Sequence, residues 1–234
     1  MRGAVHVIPE SGVDLARWEE RTYPDQPEDR PVRFIFCSRF VDWKGIRYLV
    51  DAFAPLAAAG GVQLDLVGDG ELFDQVAAQV AAAGLSDAVR LHGRLSLAEY
   101  GVLLRQSDVY VTPSLRECGG MAMLEAMALS LPVIGVDWGG AAQYTDRASA
   151  ILVEPTSPEA LVSGLTAAMR RLATSYPLRR AMGQAARRRV VEGDMGWQDK
   201  AVRVAAILRD VATASERSAA PAARIAAPPI LATR

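Results

Sequence analysis

From residue 31 onward, short apolar runs alternate with longer segments whose apolar residues recur with helical period. Runs of five or six β-branched and apolar residues, separated by helices of about ten residues or more, are typical of a parallel sheet covered on both faces. The pattern therefore predicts an α/β fold with a doubly wound, Rossmann-like parallel sheet. The predicted strands are 33–38, 62–68, 88–93, 108–114, 132–136 and 150–155, and the predicted helices are 45–60, 71–84, 95–105, 120–129 and 158 to about 214, with a break near 176–177.

The two ends of the chain have a different composition. Residues 1–30 hold one strand-like piece, 5–9, followed by a stretch rich in Glu, Arg, Pro and Asp, and they are predicted to be a lead-in and linker of the kind that joins two domains. Residues 214–234 are rich in Ala and Pro and lack helical period, so they are predicted to be a disordered tail. The α/β domain is accordingly expected to span residues 31–213.

The bulk composition excludes several classes of function. A net charge of −1 lacks the basic excess that nucleic-acid binding needs, so no nucleic-acid partner is expected. The only two cysteines, Cys37 and Cys118, are far apart, which fits a reducing compartment rather than a disulfide framework. No apolar run is long enough to cross a bilayer, and the N-terminus lacks a signal-peptide pattern. A soluble, cytoplasmic protein is expected.

Ligands of open α/β sheets bind beyond the carboxyl ends of the strands, so the residues that follow each strand are the first candidates. Arg39 and Lys44 follow the first strand, and Asp42 between them is predicted to cap the next helix, with Lys44 in its first turn. A cation there opposes the helix dipole unless an anion sits between it and the amides. Gly68 and Gly70 form a GxG motif at the end of the second strand, but the third glycine of the dinucleotide-binding fingerprint is missing. These two glycines are instead expected to allow a close approach of the backbone at a tight turn.

The stretch after the fourth strand contains the sharpest signal. Gly119 and Gly120 lack a β-carbon, so their amides can approach a phosphate at the start of a helix. Glu117 precedes that helix and Glu125 lies in its second turn. Carboxylates would repel the phosphate but accept hydrogen bonds from hydroxyl groups, as acidic residues do from ribose. The stretch therefore predicts a ligand with a central phosphate and hydroxyl-bearing groups on both sides, which describes a nucleotide-sugar.

Together these segments resemble the C-terminal domain of the retaining GT-B glycosyltransferases of the group 1 family, over roughly residues 5 to 212. The family commonly has Gly where Ser130 stands at a helix end, so this chain lacks the residue that adopts a left-handed cap most readily. The most specific elements are the R-x4-K of Arg39 and Lys44 and the E-x7-E of Glu117 and Glu125. The matching segments are IPESGVD (8–14), SRFVDWKG (38–45), LVGDGE (66–71), VRLHG (89–93), DVYVTPSLRECGG (108–120), LEAMALSLPVIG (124–135) and WGG (138–140).

The resemblance implies that Arg39 and Lys44 hold the diphosphate of a nucleotide-sugar donor. Amides near Gly120 and Met121 would assist them. Such fixed cations and amides stabilise the charge that develops on the departing nucleotide.

The resemblance also implies that Glu117 contacts the donor sugar and Glu125 the ribose. Transfer with retention is expected to proceed on one face of the sugar, without a protein nucleophile. The donor would be a co-substrate, and no cofactor is expected. The sequence shows no cluster of metal ligands, in keeping with a family that usually needs no metal.

A complete enzyme of this family also has an N-terminal domain that binds the acceptor and usually supplies a catalytic histidine. Neither His6 nor His92 matches that position. We therefore expect the donor half of a glycosyltransferase, with the other half on a separate chain or on a longer parent chain. The acceptor, a sugar, a lipid or another small molecule, is left open by the sequence, as is a peripheral contact with a membrane. Two alternatives stay open: a non-catalytic nucleotide-sugar-binding module that docks on a partner chain, and a nucleotide-sugar 2-epimerase of the same architecture.

Overall fold

The structure is a computed structural model, and it describes residues 5–25 and 27–219. Six parallel strands form one sheet in the order β3-β2-β1-β4-β5-β6, which confirms the predicted doubly wound, Rossmann-like α/β fold. The strands are β1 (Val32–Cys37), β2 (Val62–Val67), β3 (Val89–Gly93), β4 (Val109–Thr112), β5 (Val133–Val136) and β6 (Ala150–Val153). The helices are α1 (Ile46–Ala59), α2 (Phe73–Ala82), α3 (Leu97–Gln106), α4 (Met121–Ala128), α5 (Gly139–Tyr144), α6 (Pro158–Thr174), α7 (Tyr176–Glu192) and α8 (Trp197–Ala219).

The sheet is buried on both faces because successive side chains of each strand point to opposite sides. On β1, Phe34 and Phe36 pack into one apolar core with α1, α2 and α6. Ile35, which lies between them, packs into a second core with α3, α4, α5 and α7. Two helical layers therefore cover the two faces, as the apolar strand runs predict.

The lead-in segment is packed onto the domain. Val13 and Trp18 are almost completely buried in the second core, at 1% and 2% exposure. The Val13 amide donates to the Met195 carbonyl at 3.0 Å, and the Trp197 amide donates to the Val13 carbonyl at 3.1 Å. The boundary at residue 31 stays a prediction, but the described part of residues 11–23 contributes to the same core as the sheet.

Three local predictions need correction. Residues 5–9 form no strand, since they lie beside α8, where Lys200 Nζ donates to the Pro9 carbonyl at 2.8 Å, and not beside the sheet. Residues 139–144 form the short helix α5, which is absent from the predicted helices. Helix α8 continues to Ala219, past the predicted start of the tail at 214, and residues 220–234 lie outside the described part.

Candidate functional site

The sheet reverses its winding between β1 and β4, which are neighbours although two other strands separate them in sequence. Helix α1 leaves β1 toward one face, and α4 leaves β4 toward the other. The helices that follow these strands therefore diverge and leave a crevice at the carboxyl end of the sheet. Such a topological switch point is where open α/β sheets bind their ligands.

The loop after β1 is held against the loop after β4 by backbone contacts. The Leu115 amide donates to the Trp43 carbonyl at 2.8 Å. Gly45 has a φ of 68°, and a β-carbon there would lie 2.4 Å from the Pro113 carbonyl oxygen, so only glycine allows this approach. Two loops that are more than 60 residues apart in sequence are thus fixed relative to one another.

Lys44 lies in this loop in a different way from the prediction. Residues Asp42–Lys44 form a single 3-10 turn, and Gly45 is the residue that precedes α1. The predicted capping of α1 by Asp42 is therefore wrong, since the left-handed Gly45 ends the turn and separates it from the helix. The Asp42 carboxylate instead accepts a hydrogen bond from Arg47 at 2.9 Å.

Lys44 and Glu117 form the central ion pair of the site. Lys44 Nζ lies 2.6 Å from Glu117 Oε2, and the two side chains are only 13% and 16% exposed. The other carboxylate oxygen, Oε1, accepts a hydrogen bond from the Gly120 amide at 3.1 Å. Gly120 has a φ of 57° and immediately precedes α4, so its amide belongs to the positive end of that helix. One carboxylate is thus held by an ammonium and a helix-terminal amide, which are both donors that an anion can use.

Helix α5 fixes the backbone of Glu117. The Gly140 amide donates to the Glu117 carbonyl at 2.8 Å. A β-carbon at Gly139 or Gly140 would lie 3.0 Å from that carbonyl oxygen. The two glycines therefore allow α5 to pack against the loop after β4, rather than forming an open loop of their own.

A cavity opens beside the ion pair between the ends of β1 and β4. It brings together Lys44, Glu117, Gly120 and Met121, all of which were predicted for the site. Ser38 and Thr112, at the ends of β1 and β4, also line the cavity and were not predicted for the site. Their positions near the ends of predicted strands could have indicated them. The lining residues are Cys37, Ser38, Lys44, Tyr110, Thr112, Glu117, Gly120, Met121, Ala122 and Met123.

Arg39 belongs to the same loop as Lys44 but does not line this cavity. Its side chain is exposed, and its guanidinium lies 5.9 Å from the centre of the Trp43 ring. Because Arg39 follows the residue Ser38, which does line the cavity, it lies at the margin of the site.

Three predicted glycines face protein rather than the cavity. A β-carbon at Gly68 would lie 1.8 Å from the Ser38 carbonyl oxygen, and one at Gly70 would lie 2.5 Å from the Phe40 carbonyl oxygen. These two glycines let the loop after β2 pack on the loop after β1. A β-carbon at Gly119 would lie 2.1 Å from Ser11 Oγ, so Gly119 makes room for the lead-in segment.

Glu125 is half-buried on α4, close to Trp18, Tyr100 and Arg17. Burial raises the pKa of Glu125 to about 7, and the nearby Tyr100, Trp18 and Arg17 side chains oppose this rise. Glu125 does not line the cavity beside Lys44. Its surroundings include residues of the lead-in, which no local sequence signal near Glu125 could have indicated.

Comparison with known proteins identifies the family. A family profile described as Glycosyl transferases group 1 matches residues 17–189, a span that includes every predicted site residue. The chain belongs to the group 1 glycosyl transferases. The predicted resemblance is thereby confirmed, and the crevice between β1 and β4 is the switch point of a glycosyltransferase domain.

Two kinds of relatives were found for this member of the family. Among curated proteins, the MMP alpha-(1->4)-mannosyltransferase of Mycolicibacterium hassiacum is 32% identical over 87% of this chain and 47% of its own length. Among solved structures, the sucrose-phosphate synthase of Thermosynechococcus elongatus superimposes with a TM-score of 0.72 at 26% identity, over 87% of this chain and 52% of that one. Anabaena Alr3699/HepE, in complex with UDP and glucose, has a TM-score of 0.72 at 20% identity, over 85% of this chain and 55% of that one.

The chain spans about half the length of the curated relatives it matches. Within residues 5–25 and 27–219, no helix combines the length and the apolar character that a bilayer crossing requires. In the same residues, no group of three or more His, Cys, Asp or Glu side chains is arranged to hold a metal ion.

Proposed function

We propose that this chain is the donor-binding half of a glycosyltransferase. It binds a nucleoside diphosphate sugar in the crevice between β1 and β4, and the glycosyl group passes to an acceptor held by a second domain. One observation carries the proposal: Lys44, the Glu117 carboxylate and the Gly120 amide converge at the switch point of the sheet. These groups supply a cation, a hydroxyl acceptor and a helix-terminal amide in one small volume.

The diphosphate would take the place that the Glu117 carboxylate now occupies. Lys44 Nζ and the Gly120 amide both donate to that carboxylate, and phosphate oxygens accept the same kinds of hydrogen bond. Donor binding would release Glu117 to accept hydrogen bonds from sugar hydroxyls. Charge that builds on the departing nucleotide would then face fixed donors, and removal of one such donor typically costs about 3 kcal/mol in the barrier.

Arg39 and Glu125 would contact the donor from the margins of the crevice. Arg39 is exposed and can turn toward a phosphate from its position beside Ser38. Glu125 lies further along α4, beside Trp18 and Tyr100, and its carboxyl group would bind the ribose hydroxyls. The proposal extends to transfer with retention, to metal independence, and to action in the cytoplasm on a sugar, lipid or other small acceptor.

The relatives support a nucleotide-sugar donor. The Mycolicibacterium hassiacum relative is named as a mannosyltransferase, and Alr3699/HepE was solved with UDP and glucose. Because the chain spans about half of such proteins, the acceptor side of the cleft would come from a second domain, on this protein's own longer chain or on a separate one.

Calorimetric titration of UDP, GDP and ADP into the chain tests the proposal. We expect one nucleotide to bind, and Lys44→Ala to weaken that binding about tenfold or more, since a charge-assisted hydrogen bond to phosphate is lost. Arg47→Ala serves as the matched control, because Arg47 is an exposed cation near the same loop that pairs with Asp42. An equal loss of nucleotide affinity in Lys44→Ala and Arg47→Ala, or an affinity that is unchanged in Lys44→Ala, would contradict the assigned site.

The non-catalytic module predicts the same binding data, so turnover separates it from the transferase. Release of nucleotide from the bound donor, dependent on an added acceptor-domain chain and lost in Lys44→Ala, is expected for the transferase. Binding without any turnover under those conditions would favour the module.

A further inference from the structure

A second cavity lies at the amino end of the sheet, opposite the crevice that Lys44 lines. Its walls come from the lead-in, the first residue of β1, the residue before β4, and helices α3 and α7, and its volume is about 130 Å³. That volume is well below the roughly 300–1,000 Å³ of pockets for drug-sized ligands, so the cavity suits a small group only. Four arginines and two acidic residues line it: Arg21, Arg30, Arg105, Arg179, Glu28 and Asp108.

Asp108 does not neutralise the arginines around it. Arg30 holds Asp108 in a fork, with Nη1 at 2.7 Å from Oδ2 and Nη2 at 3.1 Å from Oδ1. The Arg33 amide donates to the same Oδ2 at 2.9 Å. Arg21 Nη2 is 3.7 Å from Oδ1, beyond hydrogen-bond distance, while Arg21 Nη1 donates to the Ser107 carbonyl at 2.5 Å. The Asp108 carboxylate thus lies beside two guanidinium groups and forms hydrogen bonds with only one of them, that of Arg30.

Arg179 has no carboxylate partner within 4.0 Å among the residues that the structure describes. It is only 6% exposed. Its Nη1 donates to the Leu172 and Ala173 carbonyls at 2.5 and 3.0 Å, whereas Nε and Nη2 make no hydrogen bond with any described residue. Burial and the positive charges of Arg21 and Arg30 lower the pKa of Arg179, while Asp108 opposes them. A buried cation with free donors beside two other cations favours a bound anion.

Guanidinium groups are the side chains best suited to phosphate, because their parallel N–H donors match two phosphate oxygens. We propose that this arginine pocket, formed by Arg21, Arg30, Arg105 and Arg179 around Asp108, binds a small phosphate dianion, either inorganic phosphate or the terminal phosphate of a small phosphomonoester. Arg179 supplies Nε and Nη2 and Arg21 supplies Nε, while Arg30 pairs with both carboxylates of the pocket, Asp108 and Glu28. The pocket is distinct from the donor site, since it lies at the other end of the strands.

Tyr23 links the pocket to the segment that follows α4. The Tyr23 hydroxyl donates to the Ser130 carbonyl at 2.5 Å, two residues after Ala128, where the helix that starts beside Lys44 and Glu117 ends. The Arg21 guanidinium stacks over the Tyr23 ring, 4.2 Å from its centre. An anion bound beside Arg21 therefore lies next to a tyrosine that is hydrogen-bonded to the segment following α4.

Titration of inorganic phosphate, and separately of glycerol phosphate, into the full chain by calorimetry at constant ionic strength tests the proposal. We expect saturable binding in the wild type, weakened about tenfold or more by Arg179→Gln and by Arg21→Gln, since each removes a charge-assisted hydrogen bond. Arg180→Gln is the matched control, because Arg180 neighbours Arg179 on α7 but is 39% exposed and outside the pocket. Binding is expected to be unchanged in Arg180→Gln.

Arg179 is buried, so its loss could unfold the chain, and the partly exposed Arg21 then carries the test. Unfolding is monitored by circular dichroism on every variant. Absence of saturable binding at constant ionic strength, equal affinity in Arg21→Gln and the wild type, or a loss of phosphate binding in Lys44→Ala would each overturn the proposal. The last result would assign the anion to the donor site instead.

Discussion

The ion pair between Lys44 and Glu117 leads to a prediction with an unusual sign. In the ligand-free chain, Lys44 Nζ is 2.6 Å from Glu117 Oε2, and both side chains are largely shielded from water. If the diphosphate binds Lys44, it first has to displace this carboxylate. Glu117→Gln removes the competing negative charge, so we expect the variant to bind free UDP, or whichever nucleotide the chain prefers, more tightly than the wild type does.

The size of the effect follows from the two contacts that Glu117 makes. A hydrogen bond to a charged group is worth roughly 1.5–3 kcal/mol. Glutamine keeps a neutral acceptor for the Gly120 amide and for Lys44, so only part of this energy is released on substitution. A gain of about 1–1.5 kcal/mol corresponds to roughly a five- to tenfold lower Kd.

Calorimetric titration of wild type and Glu117→Gln with the same nucleotide measures this gain. Glu192→Gln is the matched control, because Glu192 is an exposed acid at the end of α7 and its loss changes the net charge equally. An unchanged or weaker affinity in Glu117→Gln would refute the idea that donor and carboxylate compete for Lys44. An equal gain in Glu192→Gln would attribute the effect to net charge alone.

Three further predictions concern stability. Burial raises the pKa of Glu125 from 4.5 to about 7, so between these pH values the folded chain binds more protons than the unfolded chain. The protonated Glu125 therefore contributes its full share to the free energy of unfolding below pH 4.5, and this contribution is lost as the pH rises through 7. In urea unfolding, Glu125→Gln should be more stable than the wild type by about 1–2 kcal/mol at pH 8, with allowance for solvent screening, and equally stable at pH 4.5. The same gain in stability at both pH values would contradict this prediction. Gly45→Ala should lose about 1–3 kcal/mol more than Gly84→Ala, because both positions have left-handed φ but only Gly45 would clash with Pro113; equal thermal unfolding shifts would disprove this contact. Trp18→Ala should cost about 3–5 kcal/mol in denaturant unfolding because Trp18 is buried in the second core, and a loss below about 1 kcal/mol would show that the lead-in is not part of the folded domain.

The central strands could be predicted because they are short apolar runs buried on both faces, whereas the edge strand β3 is only partly buried. Phe34 and Phe36 serve one core and Ile35 the other, so the apolar pattern of β1 reports its burial directly. The six-residue α5 could not be predicted, since it is too short to show helical period. At Ser130, where the resemblance implies a position that the family commonly fills with Gly, the residue has a left-handed φ of 63°.

The sequence indicated several residues of the candidate site, but it did not indicate which of them contact one another. Lys44 and Glu117 were both proposed, but their pairing depends on how the loops after β1 and β4 dock, and 73 positions separate them in the chain. The lead-in was the least predictable part, because buried Trp18 is surrounded in sequence by charged residues. Tertiary contacts with α3, α4 and α7, rather than local pattern, determine its position.

A crystal structure of the chain with its preferred nucleoside diphosphate bound tests the central claim most directly. We predict phosphate oxygens within hydrogen-bond distance of Lys44 Nζ and the Gly120 amide, with the Glu117 carboxylate displaced from Lys44. A nucleotide bound elsewhere, with the Lys44–Glu117 pair still closed at its present 2.6 Å, would contradict the assignment of the donor site to the crevice between β1 and β4.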